Sequence, residues 1–460
     1  MKGSKKDRSR AKVPRSSVQL TSSHLRPEDT GAEGAPRPGR KACVDEESGR
    51  TTSLSEAETS SAARDQDATH RGVEEPLPDE TGIHGAMLQF AVDVYQELSA
   101  AVVAQGGTAN VVFSPLALQT TLALMLALAE GRTAEQIASV LHLHCCSNED
   151  FQAYMRRRTS KLTGLAGNLG YFCLNNKTRL ITGGCIAAPD SADGVRLSEA
   201  LESLRVEHHG ADFVQDGEAV RQRTNEWLHV MTAFECERAI SEGAVDARTS
   251  LMVASVTSLR AADWKWKFRL RDSVTGVFYN TSGETKQVTM MCQRGRFPTG
   301  DFAEDLNATA LELRYRRYKK SMVFILPRER DGLAALEKAL TGPKLRSCLE
   351  RLEDRGCVEV TLPKFGVKQA LDLRNVLPRM GVVDVFVRGR ANLPGLVTHV
   401  EALDALTSSS SVGCPHLSLA IHCAFAQTRE RGHKLGTWAE PARSKFTVDH
   451  PFMFVVLSRA

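Results

Sequence analysis

Residues 421–452 read IHCAFAQTRERGHKLGTWAEPARSKFTVDHPF. The stretch opens on an apolar strand pattern, and a second one, FTVDHPFMFVV, begins at Phe446. Between them runs a polar, turn-rich segment containing Gly432, Gly436 and Pro441. Two strands framing a long polar connection predict an exposed functional loop.

Upstream of this frame the pattern is mixed. AMLQFAVDVYQELSAAVV carries Leu88, Phe90, Ala91, Val94 and Leu98 at helical spacing. Ser114-Pro115 reads as the cap and first turn of an Ala/Leu-rich helix that Gly131 ends. TAEQIASVL opens another, with Thr133 as cap and Gln136 as its capping-box partner. SLMVASVTSL, TALELRY and KSMVFILP read as buried strands, and DGLAALEKAL as an amphipathic helix. Helices first, strands interleaved and no regular βαβ repeat predict an α+β domain with antiparallel or mixed sheets. It is expected to span residues 84–460. Residues 1–83 are rich in Ser, Arg, Glu, Asp, Gly and Pro with sparse apolar residues, which predicts a disordered tail.

Composition narrows the function classes. Of the 460 residues 42% are hydrophobic and 25% charged, enough for a sizeable core. A net charge of +4 is too weak for a dedicated nucleic-acid binder. No uncharged apolar run is long enough to span a membrane, so no membrane partner is expected. The basic start, with Lys2, Lys5, Lys6, Arg8, Arg10, Lys12 and Arg15, is not followed by an apolar stretch and does not read as a signal peptide. Taken alone, that favours the cytoplasm. Eleven scattered cysteines are no disulfide framework. Sequons at Asn176, Asn280 and Asn307 bear on the chain only in the secretory pathway.

The loop frame resembles that of the serpins. Their reactive loop follows an HKAF-x-E-x-x-E-E-G segment and precedes F-x-A-D-H-P-F. The matching positions here are His422, Ala424, Phe425, Glu430 and Gly432, then Phe446, Asp449, His450, Pro451 and Phe452. NVVFSPLALQTTLALMLALAEGRTAEQIASVL, TNEWLHVMT, MMCQRGRF, LELRYRRYKKSMVFILP and VEVTLPKFGVKQALDLRNVLPRMGVVDVF extend the resemblance over residues 84 to 458. It implies a serpin fold of three β-sheets and eight or nine helices, secretion to the extracellular space, a monomer, and inhibition of serine proteases as a suicide substrate. In that scheme a protease cleaves the loop, and the loop's hinge then inserts as a new strand in the main sheet.

The resemblance also assigns residues. The hinge is Glu430, Gly432, His433 and Lys434. Where the family has Thr or Ser and a run of Ala, this chain has His433, Lys434, Leu435, Gly436, Thr437 and Trp438. A buried imidazole at His433 needs a partner, and Pro441 removes a ladder donor. Counted from the hinge the cleavage point falls near Phe446; counted back from DHPF it falls near Thr437 to Glu440. The loop is therefore shorter than the inhibitory pattern. The bond best suited to a trypsin-like protease is Arg443-Ser444. A sheet-opening cluster maps to Ser114, Ala117, Ser255 and His422, and the family's Trp at the opening end maps to Trp264. Past FMFVV the family's closing strand finds no match, which would leave apolar neighbours exposed. The same frame fits a non-inhibitory binding or carrier protein, or an incomplete member.

Other clusters read more simply. No G-x-S-x-G, zincin, P-loop or CxxC motif is present, so no enzyme and no cofactor are expected. HLHCC at 142–146 offers soft ligands suited to zinc or copper, but without a second ligand pair it reads as a helix end running into a loop, with no metal. Arg156, Arg157, Arg158 and Lys161 lie where some family members bind heparin-like polyanions. RYRRYKK, with Arg314, Arg316, Arg317, Lys319 and Lys320, reads as a solvated face.

Overall fold

A computed structural model describes residues 18–23, 80–104, 110–163, 172–183, 190–261, 264–281, 283–316, 320–396, 415–430 and 440–458. The first half is mostly helical: β1 (Val18–Ser23), α1 (Glu80–Ala104), β2 (Val111–Val112), α2 (Pro115–Leu128), α3 (Gly131–Val140) and α4 (Asn148–Thr163). Then follow β3 (Phe172–Thr182), α5 (Ala192–Leu204), β4 (Glu207–Gly210), α6 (Phe213–Met231) and β5 (Leu251–Ala261). The second half is rich in strands: β6 (Val274–Tyr279), β7 (Thr285–Phe302), α7 (Ala303–Leu306), β8 (Ala308–Arg314) and β9 (Lys320–Pro327). After α8 (Leu333–Ala339) and α9 (Gly342–Glu350) come β10 (Glu353–Pro363), β11 (Gly366–Asp372), α10 (Leu377–Met380), β12 (Leu417–Thr428), β13 (Ser444–Thr447) and β14 (Phe452–Ser458).

The predicted α+β class holds. Among the described residues there are eight helices of seven residues or more, plus the single turns α7 and α10. The three expected sheets appear as two. A five-stranded sheet has the order β11-β12-β5-β3-β4, and a nine-stranded one runs β13-β10-β7-β8-β9-β14-β1-β2 with β6 beside β7. The merger has one cause. β7 is 18 residues long. It pairs with β6 and β10 along most of its length and with β8 at Thr299–Phe302, so it belongs to two layers.

Strand alternation builds the core. Along β14, Met453, Val455 and Leu457 face the helices with Phe90, Tyr95 and Leu124. Phe452, Phe454 and Val456 face the five-stranded sheet, and with Phe324 of neighbouring β9 and Phe365 before β11 the two phenylalanines form an aromatic cluster. Both faces are buried, which is why this strand reads as a continuous apolar run.

Two local readings are corrected. α3 begins at Gly131, so Thr133 is buried inside it rather than capping it. Its Oγ1 accepts from Asn392 N–H at 3.1 Å, and Gln136 Oε1 accepts from the N–H groups of Val383 and Asp384. The residues of the apparent capping box hold a distant segment instead. Within the expected N-terminal tail, Val18–Ser23 is a paired strand lying between β14 and β2. The place beside β14 that was expected to stand open is therefore filled.

Candidate functional site

The site is built on one seam. β5 and β12 are parallel neighbours, in unbroken register from Leu419↔Met252 to Thr428↔Ala261. Both are buried on both faces over most of their length, so they sit mid-sheet with β11 and β3 outside them. The polypeptide leaves β12 at the end of this seam and returns as β13 on the edge of the other sheet.

At the middle of the seam register sets His422 opposite Ser255. Ser114, the N-cap of α2, donates its backbone N–H to His422 Nε2 at 3.0 Å. Nε2 is thus an acceptor, and the proton of the neutral ring sits on Nδ1. Nδ1–H donates to Ser255 Oγ at 2.9 Å, whose hydroxyl is 3.4 Å from Ile421 O. His422 is fully buried, and that burial holds its pKa down at about 3. Ala117 is buried and adds only a backbone N–H, donated to Ser114 Oγ at 3.3 Å. The structure brings Ser114, Ser255 and His422 together, and they tie the seam to the start of α2.

Trp264 stands apart from them, at the exit end. It stacks on Tyr315 with centroids 4.6 Å apart and donates Nε1–H to Arg429 O at 3.3 Å. Nearby, Thr428 N–H donates to Phe365 O at 2.9 Å, and Lys364 Nζ lies 3.4 Å from Glu430 Oε1. The Glu430 side chain, 5% exposed, is thus an anchor at the loop's root. The other hinge residues, Gly432, His433 and Lys434, lie outside the described residues.

Arg443-Ser444 differs from expectation. It was expected on a free polar loop, yet Arg443 N–H donates to Cys357 O at 2.8 Å and Ser444 opens β13 opposite Val358. The cause is downstream: Phe446 and Val448 are buried in the core between the sheets and zip this segment onto β10. The Arg443 side chain stays 73% exposed.

α6 covers the five-stranded sheet. Phe213, Trp227 and Leu228 pack on Met252, Ala254, Ile421 and Cys423 of the two seam strands. The segment after α6 is clasped back: Asn225 both donates to Ile240 O and accepts from Ile240 N–H, and Arg221 Nη1 donates to the same carbonyl at 2.8 Å. Cys236, in that segment, hydrogen-bonds Cys423 on β12; this contact and burial push the Cys423 thiol up. The sequence reading missed this clasp. The signal was Arg221 and Asn225, two polar residues four apart and so on one face of a helix.

The charged clusters disperse. Three consecutive residues on a helix fan out by about 100° each, so Arg156 is exposed while Arg157 and Arg158 are only half-exposed. Arg158 lies over the Tyr154 ring. The Lys161 side chain lies outside the described residues. Of the second cluster, Arg317 and Lys319 lie outside the described residues as well, Arg314 pairs with Glu312, and Lys320 is buried, with its pKa lowered to about 8 by burial. That correction follows from the position of Lys320 on β9. His142 bonds Asp93 Oδ2 at 2.6 Å. No cluster of three metal-ligating side chains occurs among the described residues. No helix among them is long and apolar enough to cross a membrane.

Comparison with known proteins follows the same frame. The family model described as serpin (serine protease inhibitor) matches residues 85–460. Ipis-1 of Ixodes persulcatus is 30% identical over 390 residues, 82% of this chain and 96% of the relative. The leukocyte elastase inhibitor of Xenopus tropicalis is 27% identical over 395 residues, with the same shares covered. Uncleaved ovalbumin superimposes with a TM-score of 0.68 at 23% identity, covering 82% of this chain and 99% of ovalbumin. Human thyroxine-binding globulin gives 0.66 at 20%, covering 81% and 95%. The seam, its polar ties and the loop between β12 and β13 therefore sit in a chain that belongs to the serpin family of serine protease inhibitors.

Proposed function

We propose that the protein presents residues 431–443 to a serine protease and releases most of it again after cleaving turnover, because the hinge resists becoming a sixth strand of the main sheet. The observation that carries this reading is the closed β5/β12 seam at the root of the loop. Insertion there requires the Ser255–His422–Ser114 ties to part and the α6 clasp to lift. An incoming strand gains ladder bonds worth about 1 kcal/mol each. His433, Trp438 and Pro441 lower that gain through an unpaired imidazole, a bulky ring and a missing donor. The exposed Arg443 side chain supports a trypsin-like protease; some relatives are named for inhibition of leukocyte elastase, so an elastase is the comparison arm.

A panel of trypsin-like proteases and an elastase tests this on denaturing gels. The expected result is cleavage between Glu430 and Phe446 with little or no covalent complex. A dominant band at the summed mass sinks the reading. The second reading, a binding protein without protease engagement, is favoured if residues 431–443 resist every protease tested. Heparin-like polyanions are expected to bind α4 only weakly, given the dispersal of its arginines. Free thiols such as the Cys236–Cys423 pair favour a reducing compartment over secretion. The protein is read as a monomer.

A further inference from the structure

The nine-stranded sheet is completed by a strand from far away in sequence. β1 pairs antiparallel with β14 over six consecutive positions, from Val18↔Leu457 to Ser23↔Phe452, without a register shift. On its other side it pairs with β2 at Thr21↔Val112 and Ser22↔Val111. β14 needs such a neighbour. Its residues from Phe452 to Leu457 are all buried, and β9 satisfies only one of its two backbone edges. An unpaired row of N–H and C=O groups beside two buried cores is costly, and an open apolar edge is a template for wrong partners. β2, with two residues, is too short to cover it.

The segment carries the marks of a strand made for this slot. VQLTSS alternates apolar and polar residues through Val18 and Leu20, and contains no proline. Pro14 and Pro27 bracket it, confining the ladder between them. Register sets Val18 and Leu20 opposite Leu457 and Val455, two residues of the helix-facing core. Residues 24–79 connect it to α1, a length on the order of 180 Å when extended. That reach lets the strand return to its own sheet, and a tether of this kind holds a ligand at roughly millimolar effective concentration.

We propose that the slot between β14 and β2 is a strand-acceptor site filled in cis by the protein's own Val18–Ser23. The strand adds by β-augmentation, in which main-chain pairing supplies the affinity. It is joined to the functional seam by a short path: β2 ends at Val112, and Ser114 two residues on holds His422. Loss of β1 is therefore expected to loosen residues 111–114 as well as β14.

Hydrogen exchange on the unmodified full chain is the first test. The amides of 18–23 are expected to exchange at least tenfold more slowly than in a free peptide of residues 15–26. Exchange at the free-peptide rate overturns the proposal. The second test compares the full chain with one starting at residue 24 and with Leu20→Pro, which places a proline inside the strand. Both variants are expected to melt at least about 5 °C lower, and to lose protection at 452–457 and 111–114. The peptide of residues 15–26 added in trans is expected to restore the truncated chain. Melting unchanged in both variants, with no peptide effect, overturns the proposal. A full-length dimer whose fraction rises with concentration, and which disappears on truncation, shows a strand given by a second copy and overturns the assignment in cis.

Discussion

At the scale of single residues, His422 is where folding and function meet. Its ring is neutral, buried and bonded on both nitrogens. With its pKa at about 3, the folded protein refuses a proton that the unfolded chain accepts below about 6.5. Stability conferred by the neutral ring is therefore complete above pH about 6.5 and falls as pH drops toward 3, at up to roughly 1.4 kcal/mol per pH unit. His84 adds a parallel loss: burial, and then the charges of Arg158 and Arg346, hold its pKa at about 3 too. Urea denaturation at pH 7.5, 5.5 and 4.5 is expected to show this fall, with a shallower slope in His422→Gln. A slope that His422→Gln leaves unchanged contradicts the assignment. At pH 7.5 His422→Ala removes the acceptor of the Ser114 N–H and the donor to Ser255 Oγ, and is expected to destabilise by about 2–4 kcal/mol.

At the scale of elements, the α6 clasp is the clearest test of what guards the seam. Asn225→Ala leaves both the N–H and the C=O of Ile240 without the side-chain amide. The expected loss is about 1–3 kcal/mol, since Arg221 still reaches the carbonyl. Loss of stability without faster exchange in residues 232–245 contradicts the clasp. The same scale shows what sequence reading reaches. β5, β8, β9 and β12 were legible because buried strands need continuous apolar runs, and α2 because Ser114-Pro115 is a local signal. His422, Ser255 and Trp264 were legible by family resemblance, and register then set His422 opposite Ser255. Thr133 misled because its signature is local while its partner, Asn392, is distant in sequence. β1 was hidden for the same reason: six residues in a polar stretch gain their order from β14, not from their own composition. Arg443 looked free because the anchors Phe446 and Val448 lie beyond it.

At the scale of the whole molecule, the proposed function turns on whether the segment after Glu430 enters the closed five-stranded sheet. The hinge is the variable. Replacing His433, Leu435, Trp438 and Pro441 together by Thr or Ala is expected to raise the fraction of covalent protease complex at least tenfold, read by gel densitometry. No rise shows that the seam and its clasp, rather than the hinge, limit insertion. The central claim meets its most direct test in the melting temperature before and after proteolytic cleavage between Glu430 and Phe446. A strand that enters the sheet brings ladder bonds along its length, whereas one that stays out brings none. The account predicts a melting temperature within a few degrees of the intact protein; a rise of tens of degrees contradicts it.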